Sequence, residues 1–267
     1  MNLLNNNKNV ICGIIGGVGP LAGVKLHEQI ISNTKTNGTD QDHLNIYHIS
    51  LSASISDRTN FLLSNNSVEN PAIGAFNAFK ILLNSTPNNY KLIIGVPCNT
   101  FHSDKIWNNF ESLVNKKINN CNKNIKCNVI NMIDETILYI KSNKNNIKNI
   151  GILSTEGTKN TKIYDSKLNS HNINTIYVND CFQKKLNDCI YNKEWGIKSK
   201  SYPSNEAKYI LIECANWLCN ENVDAIILGC TELPIALPSC KNYSKYNIEL
   251  IDPVEILANC FIKESLI

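Results

Sequence analysis

Leu92-Ile93-Ile94-Gly95-Val96-Pro97-Cys98-Asn99-Thr100 decides how this chain folds, because Ala225-Ile226-Ile227-Leu228-Gly229-Cys230-Thr231-Glu232 repeats its pattern. Each is an apolar run, then a small or turn-forming residue, then a cysteine followed by Asn or Thr. A short apolar run that stops at a polar turn reads as a buried strand. In an open α/β sheet, ligands bind just beyond the carboxyl ends of such strands. The pattern predicts two thiols at strand ends, one in each of two related halves.

Working outward, strand-like and helix-like segments alternate. Val10 to Ile15 reads as a strand, broken by Gly16-Gly17-Val18-Gly19-Pro20, with a helix from Pro20 to about Ser32. Pro suits the first helical turn, where its missing N–H costs little. Asn45 to Leu51 reads as a strand, Pro71 to Leu83 as a helix, and His102 to Val114 as a helix. The polar, Asn/Lys-rich stretch Asn115 to Lys126 reads as an exposed loop or insertion. Val129 to Met132, Ile147 to Leu153 and Thr175 to Val178 read as strands, and Glu206 to Cys219 as an amphipathic helix. Leu250-Ile251-Asp252-Pro253 leads into a last helix.

This alternation predicts an α/β protein with mostly parallel sheet. Ile11-Cys12-Gly13-Ile14-Ile15-Gly16-Gly17 also resembles Ile150-Gly151-Ile152-Leu153-Ser154-Thr155, so the halves read as two lobes related by pseudo-symmetry. The first lobe is placed at residues 1–130 with 248–267 and the second at 131–247, the last helix returning to the first lobe.

At 43% hydrophobic and 18% charged, the 267 residues have the composition of a globular protein with a sizeable core. A net charge of +3 is too mild to imply nucleic acid or an anionic membrane as partner. No apolar run reaches the roughly 18 residues of a membrane helix. Met1 to Val10 is Asn-rich and reads as a loose lead-in rather than a secretory signal. The expected location is cytoplasmic. The eleven cysteines include no CxxC pair and no Cys/His set at zinc spacing, so most read as small buried hydrophobes rather than disulfides or metal ligands.

Gly17-Val18-Gly19-Pro20-Leu21-Ala22 fits the loose dinucleotide pattern. Pro20 removes an N–H that a pyrophosphate would use, and Asp40 and Asp42 precede a strand instead of ending one. A close-approach loop framing a small anionic substrate fits better. Cys98 and Cys230 share one setting, in which a following helix N-terminus would lower the thiol pKa. Arg58, in Asp57-Arg58-Thr59, is the chain's single Arg and suits bidentate capture of a carboxylate. The alternative is a surface ion pair with Asp57. His102 lies four residues after Cys98, which admits a Cys/His nucleophile pair or a satisfied histidine in a first helical turn.

Over nearly its whole length the chain resembles the aspartate/glutamate racemase family, in its aspartate racemase branch. The resemblance rests on Gly13 to Ala22, Asp57-Arg58-Thr59, Pro97-Cys98-Asn99-Thr100-Phe101-His102 and Met132-Ile133-Asp134-Glu135-Thr136. It continues through Gly157-Thr158, Gly229-Cys230-Thr231-Glu232 and Leu250 to Pro253. It implies two Rossmann-like lobes with the active site in the cleft between them, usually in a homodimer. It implies that Cys98 and Cys230 are the catalytic acid/base pair and that Arg58 binds a substrate carboxylate. Lys184 matches the family's second basic residue, and Asn99, Thr100 and Thr231 would hold the α-carboxylate or ammonium. No cofactor or metal is implied. The chain departs from the family at Val18, where methionine is common, at Phe101, where a smaller residue often sits, and in the long polar stretch near Asn115 to Lys126. Aspartate is the expected substrate. Glutamate or another substrate of the superfamily is the first alternative, a nucleotide-dependent oxidoreductase the second and a silent amino-acid-binding protein the third.

Overall fold

The computed structural model describes residues 9–63, 67–143, 147–200, 202–243 and 247–267. The N-terminal lead-in, up to residue 8, and part of the Lys-rich segment 141–148 lie outside these. The contacts divide the chain into Met1–Glu135 with Val254–Ile267, and Thr136–Pro253.

In the first unit a four-stranded parallel sheet has the order β2-β1-β3-β4, formed by β1 (Val10–Gly16), β2 (Asn45–Ser50), β3 (Lys91–Gly95) and β4 (Lys126–Ile130). β1 is buried along its whole length, which is why it reads as an unbroken apolar run. The helices are α1 (Pro20–Asn33), α2 (Arg58–Leu63), α3 (Pro71–Ser85), α4 (Asp104–Asn119) and, at the end of the chain, α11 (Pro253–Ser265); α5 (Met132–Asn143) begins in this unit. α3 starts where Asn70 Oδ1 accepts from the Ala72 N–H at 3.0 Å and Pro71 fixes the first turn. Its buried Phe79 and Leu82 join Phe101 and Phe110 in the core. Gly95, the last residue of β3, has no room for a side chain, since a Cβ there would stand 2.7 Å from the Phe261 ring of α11.

The second unit repeats the plan. Its sheet has the order β6-β5-β7-β9-β8, made of β5 (Asn149–Leu153), β6 (Asn174–Tyr177), β7 (Ala225–Leu228), β8 (Cys240–Tyr243) and β9 (Ile248–Ile251). The first four strands in that order are parallel, and β8 adds an antiparallel edge. Its further helices are α6 (Glu156–Asn160), α7 (Asp165–Asn169), α8 (Asp180–Tyr191), α9 (Asn205–Asn220) and α10 (Leu233–Ala236). Leu186, Leu211, Leu218 and Ile226 centre its core. Gly13 of β1 pairs with Ile94 of β3, and Gly151 of β5 pairs with Ile226 of β7. Each cysteine of the two opening segments lies four residues past that partner, so the internal repeat is a repeat of sheet register.

Three expectations need correction. The strand at 248–251 belongs to the second unit, because β9 is hydrogen-bonded to β7 and β8; the division falls at Pro253. The first five residues of the polar stretch Asn115 to Lys126 are helix, since α4 continues to Asn119 on a buried stripe of Ile106, Phe110 and Val114. The side chain of Lys123 is also not idle surface. Its ammonium donates to the carbonyls of Leu83, Asn84 and Thr86, at 3.4, 2.6 and 2.8 Å, and closes the C-terminus of α3. Among the described residues, no helix is long and apolar enough to cross a membrane.

Candidate active site

In the first unit the chain leaves β3 through Val96-Pro97 and turns sharply at Cys98, whose N–H donates to the Val96 carbonyl at 2.9 Å. Cys98, Asn99 and Thr100 are all buried here. Thr100–His102 forms a single 3-10 turn, and α4 starts only at Asp104, six residues after the thiol. The expected helix N-terminus at Cys98 is therefore absent.

His102 is buried and uses both ring nitrogens. Nδ1 lies 2.8 Å from the Cys98 carbonyl, and Nε2 accepts from the Met132 N–H at 3.2 Å. A backbone N–H only donates, so Nε2 carries no proton and Nδ1–H donates to the carbonyl. The ring also stacks on Trp107 at 4.5 Å. His102 thus positions the backbone of Cys98, and the satisfied histidine replaces the Cys/His nucleophile pair.

Arg58 is half-buried at the start of α2, with Nε wholly shielded from solvent. Neighbouring Asp57 caps this helix, its Oδ1 accepting from the Asn60 N–H at 2.7 Å. The glycine loop turns at Gly17 and Gly19, with φ of 91° and 49°. A Cβ on Gly17 would stand 2.7 Å from the Ser52 nitrogen, so the loop lies directly against the chain leaving β2. Asp42, the candidate ribose ligand, instead accepts from the Asn37 N–H at 2.8 Å in the turn before β2. Both features disfavour the dinucleotide reading.

In the second unit Gly229 follows β7, its N–H donating to the Leu153 carbonyl at 2.7 Å. Cys230, Thr231 and Glu232 follow, each at most 6% exposed. Cys230 Sγ donates to Glu232 Oε2 at 3.0 Å, and Thr231 Oγ1 donates to the same oxygen at 3.2 Å. Glu232 Oε1 lies 3.6 Å from Lys198 Nζ. Burial and then the Glu232 carboxylate push the Cys230 thiol well up, against a smaller downward pull from Lys198. This reverses the expectation of a lowered pKa. α10 has only four residues, and its contribution is outweighed by desolvation and a like charge. The fully buried Tyr164 hydroxyl belongs to the same surroundings, pushed up by burial, Asp252 and Cys230.

Lys184 lies on the exposed face of α8, a helix started by Asn179. Gln183, one residue before it, turns inward and donates from Nε2 to the Ser154 carbonyl at 2.9 Å. Sequence reasoning missed the contacts of Glu232 with Cys230 and Lys198. Glu232 stands in the quoted motif, yet its partner Lys198 is far away in sequence.

Of the nine remaining cysteines, Cys12, Cys189, Cys214 and Cys219 are buried, Cys181 is exposed and the other four are partly buried. Burial pushes the thiols of Cys12, Cys127, Cys189 and Cys214 up to about 12. Among the described residues, no group of three or more His, Cys, Asp or Glu side chains could hold a metal ion.

The Asp/Glu/Hydantoin racemase family model matches residues 115–261. The solved structure of Picrophilus torridus aspartate racemase is similar over 96% of this chain and 94% of that one, with 31% identity and a TM-score of 0.73. A putative Asp/Glu racemase from Yersinia pestis shares the fold at 20% identity, with a TM-score of 0.70 over 96% of this chain and 99% of that one. Glutamate racemase 3 of Caldanaerobacter subterraneus subsp. tengcongensis is 31% identical over 112 residues, which are 42% of this chain and 38% of that relative's length. With these likenesses beside two cysteine turns in matching registers, the chain belongs to the Asp/Glu/Hydantoin racemase family.

Proposed function

We propose that the protein is an amino-acid racemase that interconverts L- and D-aspartate, with Cys98 and Cys230 as the two bases. The observation that carries this reading is the repeat of register: each thiol lies just beyond the end of the strand that pairs with the Gly13- or Gly151-bearing strand of its own sheet. The 31% identity to an aspartate racemase over nearly the full length favours aspartate over glutamate.

In the proposed cycle one sulfur, as thiolate, takes the Cα proton while the other, as thiol, gives a proton to the opposite face. The sulfurs exchange roles for the other enantiomer, so they titrate as a coupled pair. Both protons travel on protein groups, and the reaction is written without pyridoxal phosphate or a metal. Arg58 offers a bidentate fork to a carboxylate, and Asn99 and Thr100 lie buried beside Cys98 to fix orientation. Thr231 already donates to Glu232, so its role is to shape the turn as well as to meet substrate. Lys184 as partner of a second carboxylate rests on the resemblance alone. A homodimer in the cytoplasm is the setting that the resemblance suggests.

The test is Cα–H exchange with chiral analysis of L- and D-aspartate, and of glutamate in parallel, in D₂O with reductant and no added cofactor. Deuterium uptake with racemisation of aspartate is expected. Exchange of glutamate alone would move the substrate assignment, and no exchange with either would overturn the reading.

A further inference from the structure

The two cysteine turns differ in charge at one position. Two residues after Cys98 stands Thr100; two residues after Cys230 stands Glu232. The Glu232 carboxylate is buried, 3% exposed, which is costly for a charge unless it is compensated. It does not serve α10, which receives no side-chain cap from it. One oxygen instead accepts from Cys230 Sγ and Thr231 Oγ1, and the other faces Lys198. The carboxylate is thus spent on the thiol.

We infer that Glu232, with its charge compensated by Lys198, is the proton partner of Cys230: it holds Cys230 as a thiol at rest and takes the proton when Cys230 must act as base. This inference rests on the racemase reading and deepens it. The step is a single proton transfer, from Cys230 Sγ–H to Glu232 Oε2, leaving a thiolate and a carboxylic acid, with no other reactant. A thiol 3.0 Å from a carboxylate keeps its proton because ionising it would set two negative charges side by side. Delivering that proton to a substrate carbon leaves a thiolate beside Glu232, an arrangement that favours taking a proton back. Cys230 is therefore the resting acid of the pair, and the first unit has no residue of this kind at the matching position.

The test separates this inference from the racemase reading, because its first readout needs no substrate. Alkylation of the full chain by iodoacetamide is followed by mass spectrometry of the Cys98 and Cys230 peptides between about pH 6 and pH 10, since each unit of thiol pKa is about tenfold in thiolate. In Glu232→Gln the Cys230 peptide is expected to react at least ~10-fold faster near pH 8, with the Cys98 peptide unchanged. Lys198→Met is expected to shift Cys230 the other way, to slower reaction. A merely structural role would loosen the turn in both variants and speed both. Identical wild-type and Glu232→Gln profiles, or acceleration in both variants, would overturn the inference. Racemisation by Glu232→Gln is expected to fall by ~10²-fold in kcat with little change in KM, and Glu232→Asp to recover part of it. Unchanged kcat would refute Glu232 as proton partner. A wild type that racemises neither amino acid, yet shows the opposed alkylation shifts, would defeat the functional reading and leave the hold of Glu232 on the thiol standing.

Discussion

The two cysteine turns have the same place in their sheets and different means of holding their sulfur. In the first unit a neutral imidazole grips the backbone of Cys98 through its carbonyl. In the second unit a carboxylate grips the sulfur of Cys230 directly, and a lysine offsets its charge. Register is set by the sheet, which the repeat preserved. Electrostatics is set by one or two side chains, and there the halves have diverged. A two-base reaction needs matched positions so that either face can be served, and the unlike surroundings give Cys230 a carboxylate partner that the first unit has no counterpart for at the matching position.

The largest expected effect breaks the matched half of that comparison. Cys98→Ala and Cys230→Ala should each lower racemisation by ~10²–10⁴-fold while the far-UV circular dichroism and melting temperature stay close to wild type. Equal turnover in either variant would mean that the repeat of register is an inheritance of the fold without a role in proton transfer.

A smaller effect sharpens the unlike half. His102→Phe keeps a ring to stack on Trp107 and removes both hydrogen bonds, to the Cys98 carbonyl and from the Met132 N–H. Unfolding in urea should show a loss of about 1–3 kcal/mol, because two buried backbone groups lose their partner. The pH dependence of kcat/KM should keep its shape, with activity lowered through the position of Cys98. If the variant instead lost a limb of the profile near pH 6–7, His102 would be a titrating base.

What could be read before the structure follows from the range of each interaction. The strand runs and their cysteine ends were legible because a strand buried on both faces declares itself within five residues. α8 was not, because its buried stripe contains Gln183 between Asn179 and Leu186, and a glutamine breaks the apolar pattern although its amide is satisfied inside. That omission left Lys184 without a face. The end of α4 was hidden for a related reason: Lys116, Lys117 and Asn119 look like loop composition, yet lysines in a last turn complement the helix dipole. The edge strand β8 is too short and polar to signal itself. The carboxylate–lysine hold on Cys230 joins residues 198 and 232, and no local pattern carries that pairing.

The smallest expected effect concerns how the first sheet is fastened at the end opposite its cysteine. Lys91, the first residue of β3, donates to the Glu264 carbonyl at 2.6 Å and to Glu264 Oε2 at 3.0 Å, and Asn128 of β4 donates to the same carboxylate oxygen at 3.0 Å. These bonds tie α11 to two neighbouring strands. The second sheet is closed at its corresponding end by Asp224, which accepts from the backbone N–H groups of Lys148 and Asn149 at 2.7 and 2.9 Å. The Lys91 ammonium holds the Glu264 carboxyl below its ordinary value of 4.5. A group lowered on folding stabilises fully above its unfolded value and loses that contribution as pH falls through its folded value. Wild type should therefore exceed Glu264→Gln by about 1 kcal/mol or less at neutral pH, and the difference should shrink as pH falls below 4.5 and through the lowered folded value. Urea unfolding of both proteins from about pH 3 to pH 7 checks this. A gap that persists at the acid end would show that Glu264 acts by packing and not by charge, and would make the fastening of the first sheet as indifferent to protonation as a buried apolar contact.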